Sequence, residues 1–456
     1  MRDITEEAFL SSGPVDVTAP DYRPSVMMDG TAPRSIRELV RRGQFARLFW
    51  AGAVSSLGDW VSLFAAIALG NALGGTVGIS VPLLARFLPA VLFGAVAGVI
   101  ADRFDAKRVM VVADLSRLAL VIMLIFVDTL QMLFIITLLV EVGSLVRQPA
   151  REAAMASVVT RQELLNANSM TAFITYGMIP VAGAVWTVIA LLSEGVFSVD
   201  PWKAGYAFDA ITFAASALII LTMSLPVREL VAARTETGWG IRDGWRDFIE
   251  GVKYVVSRPE VRIPILAVAW ALVGAAPIFV LGEPFSRDVL GLGSTGFGIL
   301  ATSIGLGSAV GVLVARAVDG QRIQLPVGLS VALVVAGVGV MGVAFTDQMI
   351  TAAVGGFTAG LGTGGAYVLS FTTIHHTVED RLRGRAFATL YTLARMGVVV
   401  SLAVAPLLAG ALDGLGPGEL DNGVRLTFFL SGAVVLVAGL MAGFGWLRLA
   451  GREEAV

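Results

Sequence analysis

The sequence predicts an all-α integral membrane protein, with 12 transmembrane helices in two pseudo-repeated six-helix bundles. Three observations carry this. Of 456 residues, 56% are hydrophobic and only 15% are charged, and the mean hydropathy is +0.80, so the apolar surface exceeds what one soluble core can hide. The apolar stretches run long enough for helical spans, which need roughly 20 residues each, and lack the alternation over about 10 residues that marks barrel strands. Backbone groups in lipid must be paired internally, which excludes open sheets.

The spans are placed, in order, at 46–71, 77–101, 109–126, 130–149, 168–192, 204–226, 263–284, 294–316, 325–345, 348–373, 385–412 and 424–448. An even count puts both termini on one side. Lys and Arg gather in the tails and even-numbered loops, while Arg86, Arg117 and Arg395 fall within spans and Lys203, Arg287 and Arg425 on the opposite side. By the positive-inside rule the termini are expected in the cytoplasm of a multi-pass protein of the bacterial inner membrane. Before the first span lies a polar tail, 1–45, with no apolar signal-peptide core. After the last comes a short tail, 450–456.

Between the sixth and seventh spans, 227–262 breaks the apolar pattern and divides the chain into bundles at 46–226 and 263–449. Within this linker Trp239, Ile241, Trp245, Phe248, Ile249, Val252 and Val255 recur at near-helical spacing, as in an amphipathic helix on a membrane surface. The bundles echo each other. Gly94-x-x-x-Gly98 ends span two and Gly307-x-x-x-Gly311 ends span eight, followed by Arg103 and Arg316; where the first copy has Asp102 the second has Ala315. Duplicated units of this kind place a substrate site between them near the midplane.

Several functions are excluded. With no cysteine there is no disulfide and no thiolate chemistry. The three lysines, Lys107, Lys203 and Lys253, stand outside any phosphate-binding loop, so no ATP hydrolysis is expected. The basic residues follow topology and form no nucleic-acid patch. His375 and His376 are adjacent and diverge on a helix, a poor metal pair. No cofactor, metal or catalytic constellation is expected, and an enzyme or a receptor is the disfavoured class.

The most charged turn, Gly98-Val-Ile-Ala-Asp102-Arg103-Phe-Asp105-Ala-Lys107-Arg108, joins spans two and three. With the six-and-six split and the basic linker, it resembles the major facilitator superfamily over about 44–449. Gly58-Asp59-Trp60, Arg86-Phe-Leu-Pro89, Glu163-Leu-Leu-Asn-Ala-Asn-Ser169 and Arg383-Gly-Arg385 are similar to its drug and siderophore exporter branch. The resemblance implies alternating access, with Asp102 set against the start of span eleven near Arg383–Phe387 to close the cytoplasmic gate. Asp105 and Ala106 depart from the usual turn, which has glycine and a basic residue there. The antiporter signature of span five survives only as Gly177-Met-Ile-Pro180-Val-Ala-Gly183, so a kink or a close helix contact competes with a role in exchange. Gly356-x-x-x-Gly360-x-x-x-Gly364 in span ten reads as tight contact or flexing.

Ionisable residues inside spans are costly unless paired or hydrated. At 1.5 Å per residue, Asp59, Arg86, Glu141 and Arg395 lie roughly 14–20 Å deep. In the resembled fold spans one and four line the cavity and two and eleven flank it, so the four are expected to converge. Asp59 is the expected proton carrier, Glu141 a second acid and Arg395 a movable counter-charge. Asp114 and Arg117, one turn apart, read as a local ion pair, and Asp209 as reaching water near the end of span six. Tyr176, Trp186, Trp270, Tyr367 and Tyr391 offer flat faces with a polar handle to an amphipathic substrate. The resulting expectation is a monomeric, lipid-embedded, proton-driven multidrug or siderophore efflux antiporter for a small molecule. An uptake symporter and a lysophospholipid flippase are its alternatives.

Overall fold

In the computed structural model the described residues are 34–41, 43–89, 104–160, 162–225, 253, 255, 257–318, 325–378 and 380–453, and among them no strand occurs. A short helix α1 (Ile36–Leu39) precedes α2 (Gly43–Gly78), α3 (80–89), α4 (Ala106–Leu124), α5 (Leu130–Val158), α6 (Leu164–Tyr176), α7 (Ile179–Leu192) and α8 (Pro201–Leu221). After the linker come α9 (Pro259–Val280), α10 (Gly293–Val318), α11 (Leu325–Ala344), α12 (Met349–Thr377), α13 (Asp380–Leu412) and α14 (Gly423–Glu453). Most of the linker, with its expected amphipathic helix, lies outside the described residues, as do Gly98, Asp102 and Arg103.

Among the described residues eight helical stretches are long and apolar enough to cross a membrane, one of them α7 continued to Phe197. The elements accommodate the 12 expected spans, with instructive differences at their edges. Helix α2 breaks at Gly74 and Gly75, between the first two expected spans, where Gly75 takes a φ of 60° that favours glycine. Span five is two helices, α6 and α7, separated at Gly177 and Met178 with Pro180 in the first turn of α7; proline lacks an amide donor and is tolerated there. Span four runs past 149 to Val158, so Arg151 belongs to the helix together with Arg147.

Apolar side chains cluster on either side of the linker. Phe64, Trp186, Tyr206 and Phe213 anchor one buried cluster among the early helices, and Val261, Ile265, Leu329, Leu333 and Val435 anchor another among the late ones. In lipid, helix association relies on close packing more than on the hydrophobic effect, and small residues permit it. The pair α10 and α12 shows this: Gly307 and Gly311 face the backbone of Phe357 and Leu361, while Gly360 and Gly364 face that of Ile304 and Ser308. The glycine stripe of span ten is thus a tight helix contact.

The two groups of helices meet at the end away from the termini. Trp186 Nε1 donates to the Ser294 carbonyl at 3.1 Å and Ser80 Oγ donates to the Ala403 carbonyl at 2.9 Å. Phe64 packs edge-on to Phe297 with centroids 5.3 Å apart. Gly183 and Gly298 bring α7 against α10 at Thr302 and Thr187, and Pro180 sits on Gly305. The remnant of the antiporter signature therefore makes a close contact between the halves.

At the terminus side, local chemistry fixes the loops. Asp105, the departure from the usual turn, caps α4 by accepting from the Arg108 amide at 2.9 Å. Lys107 Nζ donates to the carbonyls of Leu221 at 2.8 Å and Met223 at 2.6 Å, satisfying the orphan end of α8. Glu163, buried between α5 and α6, accepts from Arg34 Nε at 2.8 Å, Arg34 Nη2 at 2.9 Å and the Thr160 amide at 2.9 Å.

The Arg34 guanidinium bonded to Glu163 holds that carboxyl well below the usual carboxylate range. A lowered folded value contributes stability above the ordinary carboxylate pKa of about 4.3, and the contribution is lost as pH falls through the lowered value. Glu163→Gln should lower the unfolding midpoint at neutral pH by about 2–4 °C, and the gap to wild type should close as pH falls below about 4. Thermal unfolding of the purified chain across pH checks this; a pH-independent gap would show that the ion pair contributes nothing.

Candidate functional site

The site is built where α2, α4, α5 and α8 pack together. On α2, Gly58 lies against Asp209 and Thr212 of α8, and any side chain there would overlap the Thr212 hydroxyl. This close approach sets the next residue, Asp59, beside α4. Asp59 forms a short ion pair with Arg117. Arg117 is only 2% exposed; its guanidinium carbon stands 4.0 Å over the Phe213 ring and its Nη1 lies 3.8 Å from Asp114. Asp114, with no exposure at all, meets Arg147 Nε of α5 at 2.6 Å. Ser216 closes this inner knot: its hydroxyl donates to Asp114 at 2.7 Å and accepts from Arg147 Nη2 at 3.1 Å.

A second ion pair links α3 to α5, with Arg86 Nη1 3.3 Å from Glu141 Oε1. It is more open, the side chains being 25% and 15% exposed. Asp209 is fully buried and accepts from Thr212 Oγ1 at 3.1 Å. Among the described residues no cation stands within 4.0 Å of it, which leaves four acids against three paired arginines. Guanidinium pairs strongly with carboxylate because its planar fork matches both oxygens. Each pair keeps two charges compensated in the membrane interior, and removing either partner leaves the other bare.

Several expectations change. The counter-charge on Asp59 is Arg117 of span three; Arg395 and Tyr391 lie in α13 and Tyr176 in α6, but their side chains are outside the described residues. Asp114 and Arg117 are more than a local pair, since Arg117 leans to Asp59 and Asp114 to Arg147. Asp209 is sealed from water by the α2–α8 contact. Trp186 is buried packing at the far end. Trp270 is 53% exposed and Tyr367 45% exposed, with Tyr367 stacked on Phe371 at 4.6 Å, and neither joins the charged cluster. Arg147 was missed because it sits close to a predicted span end, and Asp209 was given to water for the same reason. Matching every intramembrane acid to a base would have flagged them.

A helical membrane protein with ion pairs between its spans has the architecture of a membrane transporter. Residues 48–392 match the Major Facilitator Superfamily, and the chain belongs to it. Among Bacillus subtilis proteins it is 22% identical to "Uncharacterized MFS-type transporter YfiS" over 86% of this chain and 90% of that one. It is 25% identical to "Putative bacilysin exporter BacE" over 80% of this chain and 88% of that one. By fold it resembles a bacterial homolog of the human lysosomal transporter Spinster in an inward-facing conformation, with a TM-score of 0.66 and 14% identity over 88% of this chain and 97% of that one. The nucleoside transporter NupG matches with a TM-score of 0.63 and 13% identity, covering 88% and 98%.

Removing one partner of a buried pair strands the other, at a cost of about 3–5 kcal/mol. Asp59→Asn and Arg117→Gln should each destabilise the protein, and the double variant should be less destabilised than the sum by about 1–3 kcal/mol. A thermal-unfolding double-mutant cycle measures this; strict additivity would mean that the two side chains do not interact.

Proposed function

We propose that this chain is a proton-coupled exporter of an amphipathic small molecule, drug-like or siderophore-like, working by alternating access as a monomer in the bacterial inner membrane. The observation that carries the reading is the pair of partly exposed carboxylate–guanidinium contacts, Asp59 with Arg117 and Glu141 with Arg86. A carboxylate that binds a proton releases its arginine, and the freed arginine then needs another partner. That exchange couples a proton to a change of packing among α2, α3, α4 and α5. Contacts that hold the halves together at the far end, Trp186 to Ser294 and Pro180 on Gly305, agree with a cavity opening on the side of the termini. Outward movement is supported by the exporter named among the relatives. The proton gradient is the energy source, with Asp59 the main carrier, Glu141 the second acid and Arg395 a movable counter-charge.

Transport in proteoliposomes under an imposed pH gradient tests the coupling, with fluorescent amphipathic dyes and siderophores as substrates. Asp59→Asn should reduce pH-driven accumulation to background yet leave exchange at equal pH. Full pH-driven accumulation by this variant would make the carboxylate structural and move the coupling site elsewhere, and the direction of wild-type counterflow separates export from uptake.

Orientation has its own test, because the chain has no native cysteine. Single cysteines at Thr76 and Asp347 should react with an impermeant thiol reagent applied to intact cells, and those at Ala106 and Thr237 should not. The opposite pattern would invert the topology and the export reading with it.

A further inference from the structure

One cation of this region has no ion-pair or hydrogen-bond partner among the described residues. Arg151 of α5 lies one turn beyond Arg147 and seven residues before the helix ends at Val158, about 10 Å along the axis. Arg147 is saturated by Asp114 and Ser216. Arg151 makes no ion pair and no hydrogen bond among the described residues, although it is only partly exposed. Nor does it turn to the lipid headgroups, as a topology-setting arginine near a helix end would. Its guanidinium lies inward against α2 and α6: a β-carbon built on Gly52 would stand 3.0 Å from Arg151 Nη2 and 3.0 Å from Ile174 Cδ1. The missing side chain of Gly52 is what leaves room for the charged head. The adjacent acid, Glu152, is exposed and accepts from Gln148 at 3.4 Å. A guanidinium drawn out of water beside a like charge is costly without an anion; Asp59 is held by Arg117, and Glu152 faces solvent without reaching Arg151.

We propose that Arg151, in the notch formed by Gly52 and Ile174, is a subsite for the singly charged oxyanion of an amphipathic ligand. The guanidinium fork binds a carboxylate bidentately, while Ile174 and the neighbouring apolar wall take the ligand's body. This deepens the reading of the chain as a transporter of amphipathic molecules and rests on it, by giving the substrate an acidic head. The position near the terminus side of the cavity makes Arg151 an early contact for a ligand arriving from that side, before the ion pairs deeper in α2 and α5.

Equilibrium binding tests this without a gradient. The full chain in phosphatidylcholine nanodiscs is titrated with dansyl-labelled undecanoic acid and with its primary amide, following dansyl fluorescence. Wild type should prefer the acid by about tenfold or more. Arg151→Gln should bind both alike while keeping wild-type affinity for the amide, which shows an intact cavity, and Arg151→Lys should retain part of the preference. Repeating the titration with phosphatidylglycerol in the disc separates the sources of the anion: competition seen in wild type and absent in Arg151→Gln assigns the subsite to a lipid headgroup, and no competition assigns it to the dissolved ligand. Equal binding of acid and amide by wild type, no binding of the acid, or a preference that survives Arg151→Gln would each overturn the proposal. A retained preference together with failed pH-driven transport would overturn the exporter reading alone.

Discussion

An arginine in a membrane interior must be neutralised, and this requirement organises the first half of the molecule. Arg117 has almost no exposure and is held by Asp59 of α2 and Asp114 of its own helix. Asp114 in turn holds Arg147 of α5, and Ser216 of α8 bonds to both. Four helices are tied through one chain of alternating charges. Removing a single member would strand a charge, so the arrangement defines the register of the four helices against one another as well as their proximity.

Small residues make the chain of charges possible. Gly58 lets α8 approach α2 closely enough that Asp209 and Thr212 fill the space beside Asp59. In the second half, the glycines of α10 and α12 serve backbone contact, with no charged group between them. The halves thus use different adhesives. Polar knots hold the early helices, and close backbone packing holds the late ones, consistent with polar bonds and small-residue contacts being the two available forces in lipid.

Much of this was legible in the sequence. Hydropathy placed the spans, and depth along them singled out Asp59, Arg86 and Glu141, of which the last two are paired. Edges were harder, because hydropathy falls before a helix does: span four continues through Arg147 and Arg151 to Val158, and those arginines read as loop charges. Partner choice was hidden for a different reason. Helical periodicity orders residues on one helix and says nothing of which neighbour each face meets, so Arg117 was read as the local partner of Asp114 and not as the partner of Asp59, and Asp209 was given to water although α2 covers it. Asp105 was a departure from a turn pattern whose effect on geometry could not be read from spacing; in place it caps α4.

The graded exposure of these pairs bears on how a locked network can also move. Asp114 and Arg147 are sealed, at 0% and 10% side-chain exposure, and Ser216 fills the remaining hydrogen-bonding positions between them. Opening that knot would desolvate two charges with nothing to replace them, so it is suited to stay closed throughout a transport cycle. Asp59 is 32% exposed while its arginine is buried, and Arg86 and Glu141 are both partly open. At these outer contacts water, a proton or a ligand can take the place of a partner as it leaves, which removes most of the cost of separation. Arg117 can accept such exchange at Asp59 because Asp114 continues to offset its charge from behind. The order of exposure along the chain of charges thus separates a sealed inner knot from outer pairs that solvent can reach.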